Sequence, residues 1–187
     1  MEEKDKLKTI PHRKNKHTDD LIDHYWGSIN YIADLIKAAE IKAGLILTFY
    51  GVLLNFVYSK SESVVENIGD QIGFFVLSGI WFCCILVSVY FSIRCFMPRL
   101  EDKYDKNILF FGDVISSFGD IREFSKTFYQ VSLDEDQIFD QLGQQIYINS
   151  KIAAVKFGNI NKSLRFLALG LVLMLILILY YAMFSMM

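Results

Sequence analysis

Six side chains near the ends of apolar stretches carry the chemistry this sequence offers: Lys42, Arg99, Gln145, Tyr147, Lys151 and Lys156. A small anion held between helices needs Lys or Arg for its charge, an amide for a ring edge and an aromatic face for stacking, and this set supplies all three. Around them, Asp34, Lys37 and Glu40 precede the first apolar run, while Gln144, Asn149 and Ser150 stand ahead of the last one. The same residue types also build a network of inter-helix hydrogen bonds and ion pairs with no ligand involved, so composition alone leaves both readings open.

Catalysis has no comparable set. His12, His17 and His24 lie in or next to a polar N-terminal stretch, with no Cys or carboxylate at metal-ligand spacing. Asp134, Glu135 and Asp136 form a run at a helix start, where complementarity to the helix dipole accounts for them. Nucleophile-elbow and phosphate-loop motifs are absent from the sequence. The expectation is a protein that is not an enzyme and uses no cofactor or metal.

The elements that must position these residues are helices, most of them in a membrane. The chain has 187 residues, is 53% hydrophobic and has positive mean hydropathy, which is high for a soluble domain. Its net charge of -2 gives no basic field for nucleic acid, which is set aside as a partner. Cys83 and Cys84 sit inside an apolar run and Cys95 lies just beyond it, so they read as small hydrophobes and not as a disulfide framework. Residues Met1 to Asp20 are too polar for a cleaved signal.

Three runs contain no charge: Ala43 to Tyr58, Ile72 to Ile93 and Phe166 to Met187. A spanning helix needs roughly 20 apolar residues, so the second and third suffice as they stand. The first, shorter run reaches both interfaces once Lys42 snorkels at one end and Ser59 and Lys60 extend the other. Basic residues crowd the N-terminal side of the first run (Lys37, Lys42), the C-terminal side of the second (Arg94, Arg99, Lys103, Lys106) and the N-terminal side of the third (Lys151, Lys156, Lys162, Arg165). The connection from Lys60 to Gln71 holds one lysine. The positive-inside bias therefore predicts a multi-pass protein with its N-terminus in the cytoplasm and its C-terminus outside.

Helical spacing continues beyond the spans. Ile22, Tyr25, Trp26, Ile29, Ile32, Ala33, Ile36 and Ala39 recur in steps of three and four, so the first helix is expected to start near Asp19 and run into the membrane. Ser132 with Glu135 has the pattern of a capping box, which predicts a helix start there, and Ile138, Leu142, Ile146, Ile152 and Val155 carry that helix on toward the third run. The two extensions are expected to bury their apolar stripes against each other. Pro98 marks the weakening or end of the second helix, and residues 107–130 hold one or two short helices, with Asp113 of Phe111-Gly112-Asp113 as an N-cap. The fold class is an all-α membrane protein, with three transmembrane helices and long helical cytoplasmic extensions packed as a bundle. The organisation reads as a disordered cytoplasmic tail (1–18), a helix continuing into the first span (19–60, membrane part about 43–59), an external loop (61–71), a second span (72–94), a cytoplasmic helical region (95–162) and a third span (163–187).

Four stretches in fixed order also carry a likeness. Ala38-Ala39-Glu40-Ile41-Lys42-Ala43-Gly44 leads to Tyr50-Gly51-Val52-Leu53-Leu54-Asn55; Met97-Pro98-Arg99 follows; then come Asn107-Ile108-Leu109-Phe110-Phe111-Gly112-Asp113 and Gln145-Ile146-Tyr147 to Ser150-Lys151-Ile152-Ala153-Ala154-Val155-Lys156-Phe157. From roughly Ile29 onward this order resembles the transmembrane effectors of bacterial Pycsar antiphage systems. The resemblance implies an effector in the bacterial plasma membrane that responds to a cyclic pyrimidine mononucleotide, cCMP or cUMP, made by a cognate cyclase. It implies too that the response impairs the host membrane, so that an infected cell dies or stops growing. Three crossings are too few to line a wide pore, so such damage is expected to require a homo-oligomer. The family supplies no site residues to carry over, so Lys42, Arg99, Gln145, Tyr147, Lys151 and Lys156 remain contacts inferred from residue type. A ligand-independent alternative, a holin-like pore former or the membrane anchor subunit of a complex, has the same hydropathy.

Overall fold

The computed structural model describes residues 16–69, 71–97 and 106–185, and every regular element among them is a helix. In chain order these are α1 (Lys16–Ile68), α2 (Ile72–Phe96), α3 (Phe111–Ser116), α4 (Ile121–Ser132) and α5 (Glu135–Ser185). α1, α2 and α5 each contain a stretch long and apolar enough to cross a membrane. The all-helical, three-span class expected from the sequence is therefore what the chain adopts.

Several boundaries differ from those read in the sequence, each for a local reason. α1 begins at Lys16, three residues before the expected Asp19, and the rest of the proposed tail lies outside the described residues. It also continues to Ile68, so residues 61–68 of the expected external loop are helical. Ser, Glu and Asn there lower hydropathy without breaking a helix, and the first true stop is Gly69, whose φ of 57° is left-handed. Its N–H returns to Val65 O at 3.2 Å and closes the final turn. α2 ends at Phe96; Pro98 and Arg99 lie outside the described residues.

The capping assignments also change. Ser132 does not cap α5: it is the last residue of α4, and its hydroxyl donates to Phe128 O at 2.7 Å. Asp134 takes that role, its Oδ1 accepting the N–H groups of Asp136 and Gln137 at 3.1 and 3.2 Å. Asp113 does not cap α3, whose N-cap is Phe110; its carboxylate accepts the N–H of Asn107 at 2.9 Å. The second Phe-Gly-Asp copy is the true cap. Gly119 takes a φ of 70°, and Asp120 accepts from Arg122 N and Glu123 N at 2.9 and 2.8 Å to start α4.

The described chain forms two compact units. The first comprises residues 16–30 of α1 together with 106–146. Ile29, Leu142, Ile108 and Phe110 are its buried apolar residues, and burial of each contributes about 1.5–3 kcal/mol. Tyr25 of α1 lies 5.5 Å from Phe139 of α5, ring to ring, so these parts of the two amphipathic stripes meet as expected. Asn107, with no exposed surface, joins the loop before α3 to α5. Its amide donates to Gln141 O (2.8 Å), its Oδ1 accepts from Leu109 N (2.8 Å), and Ile108 N donates to Gln141 Oε1 (2.9 Å). Gly112 is required by close approach, since a Cβ there would stand 2.8 Å from the Phe110 ring. The Asn107 to Asp113 stretch is thus a folded loop pinned by its own polar ends.

The second unit holds residues 31–69, 71–97 and 147–185, and all three apolar stretches. Its core contains Ala39, Ala43, Ile46 and Tyr50 of α1, Trp81, Ile85 and Cys95 of α2, and Ile160 and Leu177 of α5. Ala39, Ala43 and Cys95 are wholly buried. Small side chains at the contact let helix backbones come close, which is how helices associate where lipid replaces water.

A polar latch at the junction of three helices

At the C-terminal end of α2 a helix leaves its last carbonyls without intrahelical donors. Here α5 supplies them. Lys156 Nζ donates to Cys95 O at 3.0 Å, and Asn159 Nδ2 donates to Arg94 O at 3.4 Å. A cation at a helix C-terminus also suits the helix dipole. The same ammonium is 2.6 Å from Oε1 of Glu40 on α1, so one side chain fastens all three long helices. Lys156 is 2% exposed, while the Glu40 side chain keeps 38% of its surface. The pair therefore reaches solvent through its carboxylate and not through its amine.

One and two turns further along α5 the polar contact continues. Ser88 and Ser92 of α2 and Ser163 of α5 have no exposed surface. Ser88 Oγ donates to Ser163 O at 2.9 Å, Ser163 Oγ donates to Ser88 O at 2.8 Å, and Ser92 Oγ lies 2.7 Å from Ser163 Oγ. With Ser92 as donor in the last pair, each hydroxyl proton is used once and no hydroxyl is left unpaired. Lys156, Asn159 and Ser163 follow one another on α5 in steps of three and four, facing Ser88, Ser92 and Cys95 on α2. This seam sets the register of the two helices.

Sequence reasoning reached part of this site. Lys156 and Glu40 were both recognised, but as members of a mixed polar set; Ser92, Ser163 and Asn159 were missed. Their signal was the pair of small or polar stripes on otherwise apolar helices.

Of the six candidate contacts, Lys42, Tyr147, Lys151 and Lys156 lie in the second unit, where Lys156 faces a different side of α5 from Tyr147 and Lys151. Lys42 is exposed, with Nζ 5.6 Å from the centroid of Phe157. Tyr147, at 60% exposure, and the exposed Lys151 lie one turn apart on the same face of α5. Lys156 is five residues beyond Lys151, about 140° around the helix, and points inward to the latch. Gln145 belongs to the first unit and is half-buried, and Arg99 lies outside the described residues. A separate cleft of about 470 Å³ in the second unit contains none of the six; Phe56, Trp81, Phe82 and Leu177 line it. Such an apolar lining suits acyl chains and not a charged nucleotide. Among the described residues no group of three His, Cys, Asp or Glu side chains is placed to hold a metal.

Three long apolar helices latched through a buried cation and a hydroxyl seam define a helical membrane protein. Residues 24–183, which take in all three spans, match the family model of the Pycsar effector protein domain, PycTM, and the chain belongs to this family. It is thereby a membrane effector of an antiphage system. It is 28% identical over 141 residues to the Pycsar effector protein SaPycTM of Staphylococcus aureus, covering 75% of this chain and 84% of that protein. With the Pycsar effector protein PtPycTM of Propioniciclava tarda it shares 24% identity over 156 residues, 81% of this chain and 76% of the relative. No solved structure matches the chain.

Proposed function

We propose that this effector is activated by a cyclic pyrimidine mononucleotide, cCMP or cUMP, made by a cognate cyclase, and that its response is to impair the bacterial plasma membrane. The observation that carries this reading is the family match across residues 24–183. The basic residues beside each span support an N-terminus in the cytoplasm, where such a nucleotide is made. For the ligand we favour the exposed face of Tyr147 and Lys151, which offers a ring for stacking and an ammonium for the phosphate, with Lys42, Arg99 and Gln145 as further candidates. Lys156 already holds Glu40 and Cys95 O, so its part is to respond to the ligand and not to touch it first.

The mechanism is a shift between two packings. α1 and α5 each contribute residues to both units, so a ligand that prefers one packing acts on helices that also cross the bilayer. Three spans are too few to enclose a wide path, which makes a homo-oligomer the active form.

Calorimetric titration of the detergent-solubilised chain tests the ligand. Heat of binding is expected with cCMP or cUMP and not with a purine cyclic mononucleotide. Lys151→Ala should weaken that binding about tenfold, or by about 1.4 kcal/mol. No heat with either pyrimidine would contradict the reading, and unchanged affinity in Lys151→Ala would remove Lys151 from the contacts.

A further inference from the structure

The apolar cleft of the second unit has a chemistry that neither the latch nor the candidate contacts use. It lies at the end of α2 opposite the latch, between Phe56 and Val65 of α1, Phe74 and Phe82 of α2, and Met174 and Tyr181 of α5. At roughly 1.5 Å per residue these stretches cover about 10–14 Å, close to the roughly 15 Å of hydrocarbon in one leaflet. Trp81 and Leu177 are the most buried members of its lining, at 7% and 9% exposure. Phe75 and Phe82 of the lining are exposed, as are Val76 and Leu86 beside them on α2, so the cleft is continuous with apolar surface that meets lipid.

Two polar groups of the lining have protons to give. Among the described residues that line the cleft Lys60 alone is charged, and it has no hydrogen-bond or ion-pair partner among the described residues. Glu62 and Glu66 are exposed on the same helix but do not line the cleft. Tyr181 Oη accepts from Asn67 Nδ2 at 3.0 Å, and its own proton has no acceptor among the described residues. Free donors beside an apolar wall suit a ligand with an acceptor-only, anionic group at one end and a hydrocarbon chain at the other.

We propose that the cleft holds one acyl chain of a membrane phospholipid, with the phosphate of its headgroup at Lys60. The charge-free run of α1 ends at Tyr58, so Lys60 stands where hydrocarbon gives way to headgroups, and the chain runs from there toward Phe56 and Trp81. A volume of about 470 Å³ lies in the range of ordinary small-molecule sites, about 300–1,000 Å³. At this end α5 meets α1 through Asn67 and Tyr181 and meets α2 through Phe74 and Tyr180, whose ring centroids are 5.9 Å apart. A chain lodged among these contacts is part of the packing of the spans and not of the lipid around them. The inference is independent of the nucleotide that activates the effector.

The test uses the full-length chain in phosphatidylglycerol vesicles containing a trace of phosphatidylglycerol with a photoreactive diazirine in one acyl chain. Crosslinked residues are mapped by mass spectrometry. Crosslinks at Trp81 and Leu177 are expected, because both are buried in the protein and only a chain inside the cleft reaches them. Leu175 and Leu179, which stand beside Leu177 on α5 but are exposed, report surrounding lipid. Lys60→Met should lower the yield at Trp81 and Leu177 about tenfold, as loss of one charge-assisted contact implies, and leave that at Leu175 and Leu179 unchanged. The same diazirine on diacylglycerol, which has no phosphate, should give yields in the cleft that Lys60→Met does not change. Crosslinks confined to Leu175 and Leu179 in the parent chain overturn the site. Crosslinks at Trp81 and Leu177 that survive Lys60→Met with the phosphatidylglycerol probe overturn the headgroup contact.

Discussion

Replacing Lys156 by methionine is expected to lower the unfolding free energy of the detergent-solubilised chain by about 1–3 kcal/mol, measured by denaturant titration. Methionine keeps much of the side chain's length and apolar stem, so the change isolates the ammonium. Without it, Glu40 loses its partner at 2.6 Å and Cys95 O loses a donor at 3.0 Å. Removing one member of a fully buried pair costs about 3–5 kcal/mol, but solvent reaches the Glu40 carboxylate and screens it, which reduces the figure. The double variant Glu40→Gln with Lys156→Met should recover part of the loss, because it no longer leaves an unpaired carboxylate. Stability within about 0.5 kcal/mol of the parent in the single variant, the range of an ordinary surface substitution, would show that the latch holds nothing.

Ser163→Leu should be the most disruptive substitution in the seam. Ser163 has no exposed surface, and its Oγ lies 2.7 Å from Ser92 Oγ, so a leucine has no room unless α2 and α5 separate. Overpacking of this kind costs about 1–3 kcal/mol, and the hydroxyl of Ser92 loses its acceptor in addition. Ser163→Ala removes the hydroxyl and keeps the space. Its cost should be about 0.6–1.7 kcal/mol, the range for hydrogen bonds between membrane helices. The two variants together separate packing from hydrogen bonding, and a leucine variant as stable as the alanine variant would mean that the helices are not in close contact there.

These two sites show what was legible in the sequence and what was not. Spans are legible because a bilayer excludes charge over a fixed length, and a run such as Ile72 to Ile93 has no other simple explanation. Helix ends were harder. The apolar character of α1 stops near Tyr58, but its backbone hydrogen bonding continues through Glu62 and Glu66 to Gly69, because helix formation does not require apolar residues. The Ser132–Glu135 spacing fitted a capping box, yet Asp134, one residue before the helix, was the better placed oxygen.

The polar site was half legible for a different reason. Lys156 and Glu40 are 116 positions apart, and no local pattern reports which residues of two long helices stand level with each other. An isolated lysine near a membrane span reads as a ligand contact or an interface anchor. Only the register of α5 against α1 and α2 reveals that its ammonium is already engaged. The family likeness was readable from ordered fragments, and one of them, Asn107 to Asp113, owes its residues to a loop in which Asn107 and Asp113 close the backbone and Gly112 makes way for Phe110.

Dye leakage from bacteria expressing this chain, with a live cyclase making cCMP or cUMP or with a catalytically dead one, tests the central claim most directly. Leakage only with the live cyclase is the predicted result. Equal leakage with the dead cyclase, or with none, would contradict it and support a holin-like pore former that needs no nucleotide; no leakage in any condition would contradict it in favour of an anchor subunit.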